Sequence, residues 1–574
     1  MHNRARFAAL LPVLLHYGLA AAEVSESPRY NGSTVIEEAQ ILSFNVPMLV
    51  DLLNRLPGVK ASDGFVSLQG STTNEVLVLL DGRPLTDALT GKANLGGILT
   101  SQILRIEIIK GAGSALYGDN TSGGVILITT KKTDSSSVNK LDAAYGTFNT
   151  RRFNMNVGRS NNGTGASLSG SYERTDGHRP NDDAESKSAR LDLNHRFGPD
   201  FDGTLSANVS RDDEGSPGKT TSPTPNARKQ KEVAGTSLQL AYRNLKGRAY
   251  YNTNDEYSQN PDTGLDTYLE TETAGGDLRY RGDTPLLGNA LVGLSAENRR
   301  AKATNIGNRT EALYGAYVVK SFSLASPGVD VKAGFRGNYH TEFGASYNPE
   351  LGIGYDAGTY KVDVKASRSS KAPTLRQRYY ESTTLQGNPD LKMESATNFQ
   401  AGFVSGKASA LHYGLNLFYS KIDDGISGYY NASGIYTYDN VSASTRKGFE
   451  CSFGWKISRW LRWDASYIYL LFKNDATDLY LPGKPKKKAR TDLYASYGQW
   501  KGNFGIAYVG ESYNDAANTQ LLKSYAVADA KLSYGYRGME FYVEGENLFD
   551  REYEVHLGYP SAGRAWMFGI EYTF

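Results

Sequence analysis

The chain has one cysteine, Cys451, in 574 residues. A lone thiol excludes an intramolecular disulfide and a cysteine metal cluster, and such scarcity fits an oxidising envelope compartment. Histidine is scarce too: His178, His195, His340, His412 and His556 are scattered, and no paired-histidine pattern nominates a haem site. Beyond the first 22 residues no uncharged apolar run reaches the roughly 18 residues a membrane helix needs. If such a chain lives in a membrane, it must cross as a closed β-barrel, where every backbone group can pair inside lipid. An excess of one charge is also missing, with Lys+Arg 63 against Asp+Glu 61. A nucleic-acid binder would show a marked basic surplus. There is no G-x-S-x-G elbow and no H-E-x-x-H helix, so nothing nominates an enzyme. Gly111-x-Gly113 has no third glycine at Leu116, and no Gly-Lys-Ser/Thr follows, which removes a nucleotide loop.

Tyrosine (39) and glycine (61) are abundant instead. Arg4 and Arg6, the apolar run 7–19 and Ala20-Ala21-Ala22 predict a signal peptide over residues 1–22. Without those two arginines the charges balance. Residues 23–33 read as a polar tail. In residues 34–135, three runs rich in Val, Ile and Leu stand between glycine-containing turns: Val76–Leu80, 103–109 and 125–129. They predict buried strands of a small α/β domain. Residues 34–36 predict a further strand. In NVPMLVDLLNRLPG, Asn45 is the expected cap, Pro47 the first helical turn and Pro57-Gly58 the stop. Leu49, Leu52, Leu53 and Leu56 form one apolar stripe for packing on the sheet.

The texture then changes over residues 136–574. Leu191 and Leu193 alternate with Arg190, Asp192 and Asn194; Val331 and Phe335 alternate with Lys332 and Arg336; Ala526, Ala528, Ala530 and Leu532 repeat the pattern. Period two, with one apolar and one polar face, is the signature of strands between lipid and water. About 440 residues at roughly 20 per strand and connection predict roughly 22 antiparallel strands. Trp566, Phe568, Ile570, Tyr572 and Phe574 place five apolar side chains on one face of the last strand. Bare apolar edges aggregate in soluble proteins, which argues for lipid on that face. Long polar connections, expected outside, span 211–232, 367–398, 472–491 and 549–564.

The segments VLVLLDGRPL, RIEIIKG, SALYG and GGVILITTKK resemble, in content and order, the plug of TonB-dependent outer-membrane receptors. KAPTLRQRYY, GNPDLKMES and GENLFDREYEVHLGYPSAGR resemble loop and closing motifs of the same family. The resemblance implies an all-β transmembrane barrel with the α/β plug inside its lumen, in the bacterial outer membrane. It implies active import of a scarce metal chelate by a monomer that engages TonB and its inner-membrane energising complex. No cofactor is required. VLVLLDG, LTGKANL and GYPSAGR look most like the cobalamin receptor branch, and ferric-siderophore receptors share most of them. A passive porin, which would lack a plug, and an outer-membrane enzyme are the rival classes.

The resemblance also assigns candidate sites. The TonB box candidate is Glu23, Val24, Ser25, Glu26 and Ser27. Two apical plug loops, 60–70 and 85–97, would meet substrate through Asp63, Phe65, Ser67, Thr86, Asp87, Thr90, Lys92 and Asn94. Asp176, Asp182, Asp183, Asp212 and Asp213 offer several oxygens, which Ca²⁺ favours, although solvated acidic turns read as well. The basic run Lys484, Lys486, Lys487, Lys488 and Arg490 reads first as a solvated turn. Its second reading is a contact for lipopolysaccharide phosphates or an anionic ligand.

Overall fold

The computed structural model describes residues 33–574, apart from 63, 112, 134–138, 325–327, 383, 407–409 and 432. The expected signal peptide and the TonB box candidate, Glu23 to Ser27, lie outside the described residues, as does Asp63.

The N-terminal unit is a five-stranded mixed sheet in the order β1 (Ser33–Glu37), β6 (Ile103–Lys110), β7 (Gly124–Thr130), β4 (Val76–Leu80), β5 (Arg83–Pro84). β4 and β7 are parallel, and the other pairs are antiparallel. Helix α1 (Glu38–Ser43) precedes α2 (Leu49–Asn54), and α3 (Ser114–Tyr117) lies between β6 and β7. Leu49, Leu52 and Leu53 are fully buried against Ile36, Val78, Ile106, Ile126 and Ile128. Each such leucine contributes roughly 1.5–3 kcal/mol.

Two local expectations need correction. Asn45 does not cap α2: it has a φ of 53°, in the region that ends a helix. It follows α1, a helix too short to show a period, and the residue at the N-cap of α2 is Met48. Residues 60–70 are not a plain loop. They hold a hairpin of β2 (Val59–Ser62) and β3 (Phe65–Leu68), with Val59, Ala61, Val66 and Leu68 buried. Four residues per strand are too few for the alternation to stand out.

From Lys140 to Thr573 the chain forms a closed barrel of 22 strands, each antiparallel to its neighbours, and Ala565–Thr573 pairs with Lys140–Gly146 to close it. Closure leaves no strand edge in lipid. Leu193, Leu205 and Leu238 are cross-strand partners that point outward and stay exposed. Arg190, Ser206 and Ser237, on the opposite face, are buried toward the lumen. Trp566, Phe568, Tyr572 and Phe574 are exposed on the outer wall. One rim carries two-residue turns such as 199–200, 243–244 and 537–538. The other carries the long connections 216–227, 372–393, 475–486, 510–524 and 547–564, which marks it as extracellular. The first three are narrower than the sequence suggests because the strands continue past the lipid belt, the last begins two residues earlier, and 510–524 carries no basic or proline-rich run to mark it.

The sheet of β1, β6, β7, β4 and β5 sits inside this barrel. Lys110 pairs with Glu450 at 2.7 Å, Arg446 with Glu75 at 3.1 Å and Arg190 with Asp81 at 2.7 Å. Asn338 and Asn348 donate to Asp119 at 2.7 and 3.0 Å. Apolar contacts join them too: Leu79, Ile109, Leu116 and Val125 meet Leu291, Tyr317 and Val319, and Phe44 meets Tyr494 with ring centroids 5.9 Å apart. At Gly70 (φ +76°) an added Cβ would stand 2.2 Å from Leu470 on the wall, so only glycine allows this approach.

Candidate functional site

The upper face of the β2–β3 hairpin and the loop 85–97 form a floor below the extracellular connections. Because Val66 and Leu68 point into the core, Phe65 and Ser67 take the open face. Two ammonium groups stand by the Phe65 ring, Lys92 Nζ at 5.0 Å and Lys231 Nζ at 5.7 Å from its centroid. Burial pushes the Lys92 ammonium below its usual pKa. Arg376 and Lys229 push the same way, Asp87 opposes them, and Lys231 adds to the positive field. Two ammonium groups beside one ring on a half-buried floor attract a negatively charged, partly planar ligand.

Beside this ring opens a cleft lined by Thr86, Asp87 and Asn94 from the plug and by Lys231, Asn252 and Asn254 from the wall. Asp87 holds the cleft's shape. Its Oδ1 accepts from the Thr90 amide and hydroxyl at 2.8 Å each, and its Oδ2 accepts from Asn254 at 2.8 Å and Thr271 at 3.0 Å. Asn94 turns its carbonyl onto the Gly96 amide at 2.9 Å. The Thr86 hydroxyl is buried with no partner among the described residues, a group available to a ligand. Ser67 and Thr90 do not line the cleft. Arg83 reaches the wall at Asn252 (2.5 Å) and also donates to Asn208.

The connection 372–393 closes over this floor. Its helix α4 (Leu375–Tyr379) starts with a capping box in which Thr374 and Gln377 satisfy each other's backbone amides. Leu375 packs with Leu89 of the plug loop, and the Arg376 amide donates to the Leu89 carbonyl at 3.0 Å. Arg376 stacks on Tyr380 at 4.7 Å and Arg309 on Tyr379 at 4.2 Å. Lys231 and Arg376 are functional candidates that the sequence alone did not nominate. Both come from barrel segments far along the chain, and only closure brings them to Phe65.

The acidic candidates are distributed among separate partners. Asp183 and Asp213 share the Arg228 guanidinium at 3.0 and 2.6 Å. Arg228 holds the Asp183 carboxyl below the usual carboxylate range. Asp182 meets His178 at 2.6 Å, Asp212 accepts from Ser186 at 2.6 Å, and Asp176 accepts from Asn149 at 3.0 Å. Among the described residues no group of three or more acidic, histidine or cysteine side chains is arranged to hold a metal.

Residues 129–548 match the family model described as TonB dependent receptor-like, beta-barrel, and residues 30–125 match the TonB-dependent Receptor Plug Domain. A curated relative, the vitamin B12 transporter BtuB of Photobacterium profundum, is 26% identical, with 94% of this chain and 92% of the relative covered. The siderophore receptor PirA from Acinetobacter baumannii superposes with a TM-score of 0.79 at 17% identity, covering 95% of this chain and 98% of that one. A structure described as copper transporter OprC superposes with a TM-score of 0.80 at 16% identity, covering 95% and 99%. At such identities the two structures speak for the fold alone.

Proposed function

The chain belongs to the TonB-dependent receptors of the bacterial outer membrane, and from that premise we propose that its cargo is an anionic metal chelate of the ferric-siderophore type. The observation that carries this reading is the pair of ammonium groups, Lys92 and Lys231, at the Phe65 ring, with Arg376 adding positive charge near Lys92. A chelate bearing carboxylate, catecholate or hydroxamate groups gains Coulomb attraction from the cations and stacking from the ring. The unpartnered Thr86 hydroxyl supplies a directional donor at the cleft edge. Ligand held by the floor and by α4 touches plug and wall at once, so its arrival can alter the plug. The tail preceding Ser33 is the proposed grip for TonB, with Glu23 to Ser27 as the candidate box.

Cobalamin is the second reading, favoured by the curated relative's name. A deletion strain carrying the restored protein, grown on limiting iron and on limiting cobalamin, separates the two. Rescue on iron with ferric chelates supports the siderophore reading; rescue only on cobalamin overturns it. Uptake should stop when residues 23–28 are deleted. Undiminished, energy-independent uptake by that variant would contradict the coupling assignment.

A further inference from the structure

The outer wall of the barrel carries a sector of cations where its apolar band ends. The basic run 484–490 does not supply it. Arg490 is engaged by Asp492 through two hydrogen bonds of 2.7 Å, Lys486 stands 3.8 Å over the Tyr480 ring, and Lys484 donates to the Ser71 carbonyl of the plug at 2.8 Å. The sector lies on the strands Thr150–Asn161, Thr164–Thr175, Ala184–Gly198 and Phe201–Gly215. Period two turns Ser188, Arg190 and Asn208 to the cleft inside, and Lys187, Leu191, Leu205 and Arg211 outward. Phe197 marks the lower edge of the lipid-facing band, stacked on Phe201 at 4.7 Å beside the turn 199–200. The climb from Phe197 to Lys187, at about 3.3 Å per residue on a strand tilted by about 40°, rises about 25 Å, the height of the apolar band of such a barrel. Phe153 and Tyr172, in the same cross-strand row as Lys187, supply the aromatic rim that belongs at that height.

At this upper edge the register sets cation against cation. Arg151 is the direct cross-strand partner of Arg174, and Lys187 is the partner of Arg211. Tyr172 stands opposite Lys187, which puts Arg174 on the diagonal to Lys187 and joins the two pairs into one patch. Directly opposed side chains stand about 5 Å apart at Cβ, diagonal ones lie within reach of long side chains, and like charges directly opposed destabilise a sheet. All four cations are exposed. The carboxylates around them are engaged: Glu185, opposite Arg174, with Lys187, and both Asp183 and Asp213 with Arg228. Arg151 donates to the Asn149 side-chain carbonyl at 3.2 Å. Among the described residues Arg151, Arg174 and Arg211 form no ion pair, Arg211 not even with Glu232, its partner on the other side. Beyond Arg211 the sign reverses, since Glu232, Asp255 and Glu270 are successive cross-strand partners on the next strands. The patch therefore has a fixed border.

We propose that this patch seats one phosphorylated glycolipid of the outer leaflet, lipid A, whose phosphates bridge Arg151 with Arg174 and Lys187 with Arg211. A guanidinium fork takes phosphate oxygens two at a time, and each cation at the headgroup plane adds its own attraction. An anion set between two opposed cations also relieves the repulsion that the register imposes. The surroundings choose a lipid over a free ion. Leu168, Leu191 and Leu193 lie exposed on the same outer face below the cations and offer hydrocarbon to acyl chains, and Phe153 is exposed beside them at the rim. A free phosphate would meet the charges and leave that apolar surface uncovered. A bis-phosphorylated headgroup matches two cation pairs. None of the four cations lines the cleft beside Phe65, so the lipid and the imported cargo do not compete.

The experiment is native mass spectrometry of the purified full-length receptor, delipidated in detergent and titrated with bis-phosphorylated hexa-acyl lipid A. EDTA is present throughout, so that no divalent cation can bridge the phosphates to carboxylates. Wild type should retain one lipid A. Phosphate-free lipid A and phosphatidylglycerol should each bind at least about tenfold more weakly, and inorganic phosphate should not displace the lipid. The Arg174→Gln/Arg211→Gln double variant should lose about tenfold in affinity for lipid A. Its thermal midpoint without lipid should stay or rise, because two like-charge oppositions are gone, and that separates lost binding from lost folding. Lys302→Gln removes an exposed outer-face cation that stands opposite Glu270 in the acidic stretch and should keep wild-type binding. Equal retention of phosphate-free lipid A, or unchanged affinity in the double variant, overturns the proposal. So does phosphatidylglycerol bound as tightly as lipid A, which would make the patch a generic lipid contact. Displacement by inorganic phosphate would make it a free-anion site, and an equal loss in Lys302→Gln would make the effect one of overall charge; either result overturns it too.

Discussion

At the scale of single residues, the cation pair at Phe65 and the fit at Gly70 make the sharpest demands. Lys231→Met removes one of the two cations beside the ring. It should weaken binding of an anionic chelate by about 1 kcal/mol and shallow the salt dependence of affinity. Equal affinity at low salt for wild type and variant, measured by fluorescence quenching with ferric chelates, would remove the anion reading. Gly70→Ala should lower stability by roughly 1–3 kcal/mol, from both the positive φ and the contact with Leu470; calorimetry of the purified protein checks it. Phe65 was legible as a candidate because the family resemblance placed it on an apical segment. Its cationic partner Lys231 was not. It sits on an alternating strand, where a polar residue only says "inward", and which plug residue lies opposite depends on barrel registers that no local pattern encodes.

At the scale of elements, the apical loop 85–97 owes its shape to one carboxylate. Asp87→Ala removes the acceptor for Thr90, Asn254 and Thr271 together. The loop should detach from the wall at a cost of about 1–3 kcal/mol, and hydrogen exchange over residues 86–97 should speed up while β4 and β7 remain protected. Protection unchanged in the loop would show that Leu375 against Leu89 holds it without Asp87. The plug strands were readable almost to the residue: Val76–Leu80 is β4 as the sequence bounds it, because buried strands are unbroken apolar runs between glycines. The β2–β3 hairpin was not readable, although Asp63-Gly64 is a turn signal, since each strand offers only two inward residues. Asn45 was misread because Asn serves both as a helix cap and as a left-handed terminator, and α1, which decides between them, carries no period. The barrel count of 22 followed from length alone; the inward and outward faces followed from alternation.

For the molecule as a whole, plug and wall are joined by buried charge pairs. Lys110→Met leaves Glu450 buried without its cation, a change that costs about 3–5 kcal/mol, whereas replacing both residues by apolar ones is near neutral. The single variant should therefore show more frequent ion conductance in planar bilayers than wild type, and the Lys110→Met/Glu450→Met double variant should be quieter than the single. Conductance equal in all three would mean that this pair does not seat the domain. The seat is also of two kinds. Ionic and amide contacts ring much of the domain, while hydrocarbon holds it at separate places: Leu291, Tyr317 and Val319 on one flank and Tyr494 against Phe44 on another. Water can substitute for the former one bond at a time, as each loosened donor or acceptor finds a new partner in solvent. It cannot do so for the latter, where separation exposes oil to water all at once. A steady tug from below thus frees the wet margin first, and the greasy spots let go last, together and abruptly.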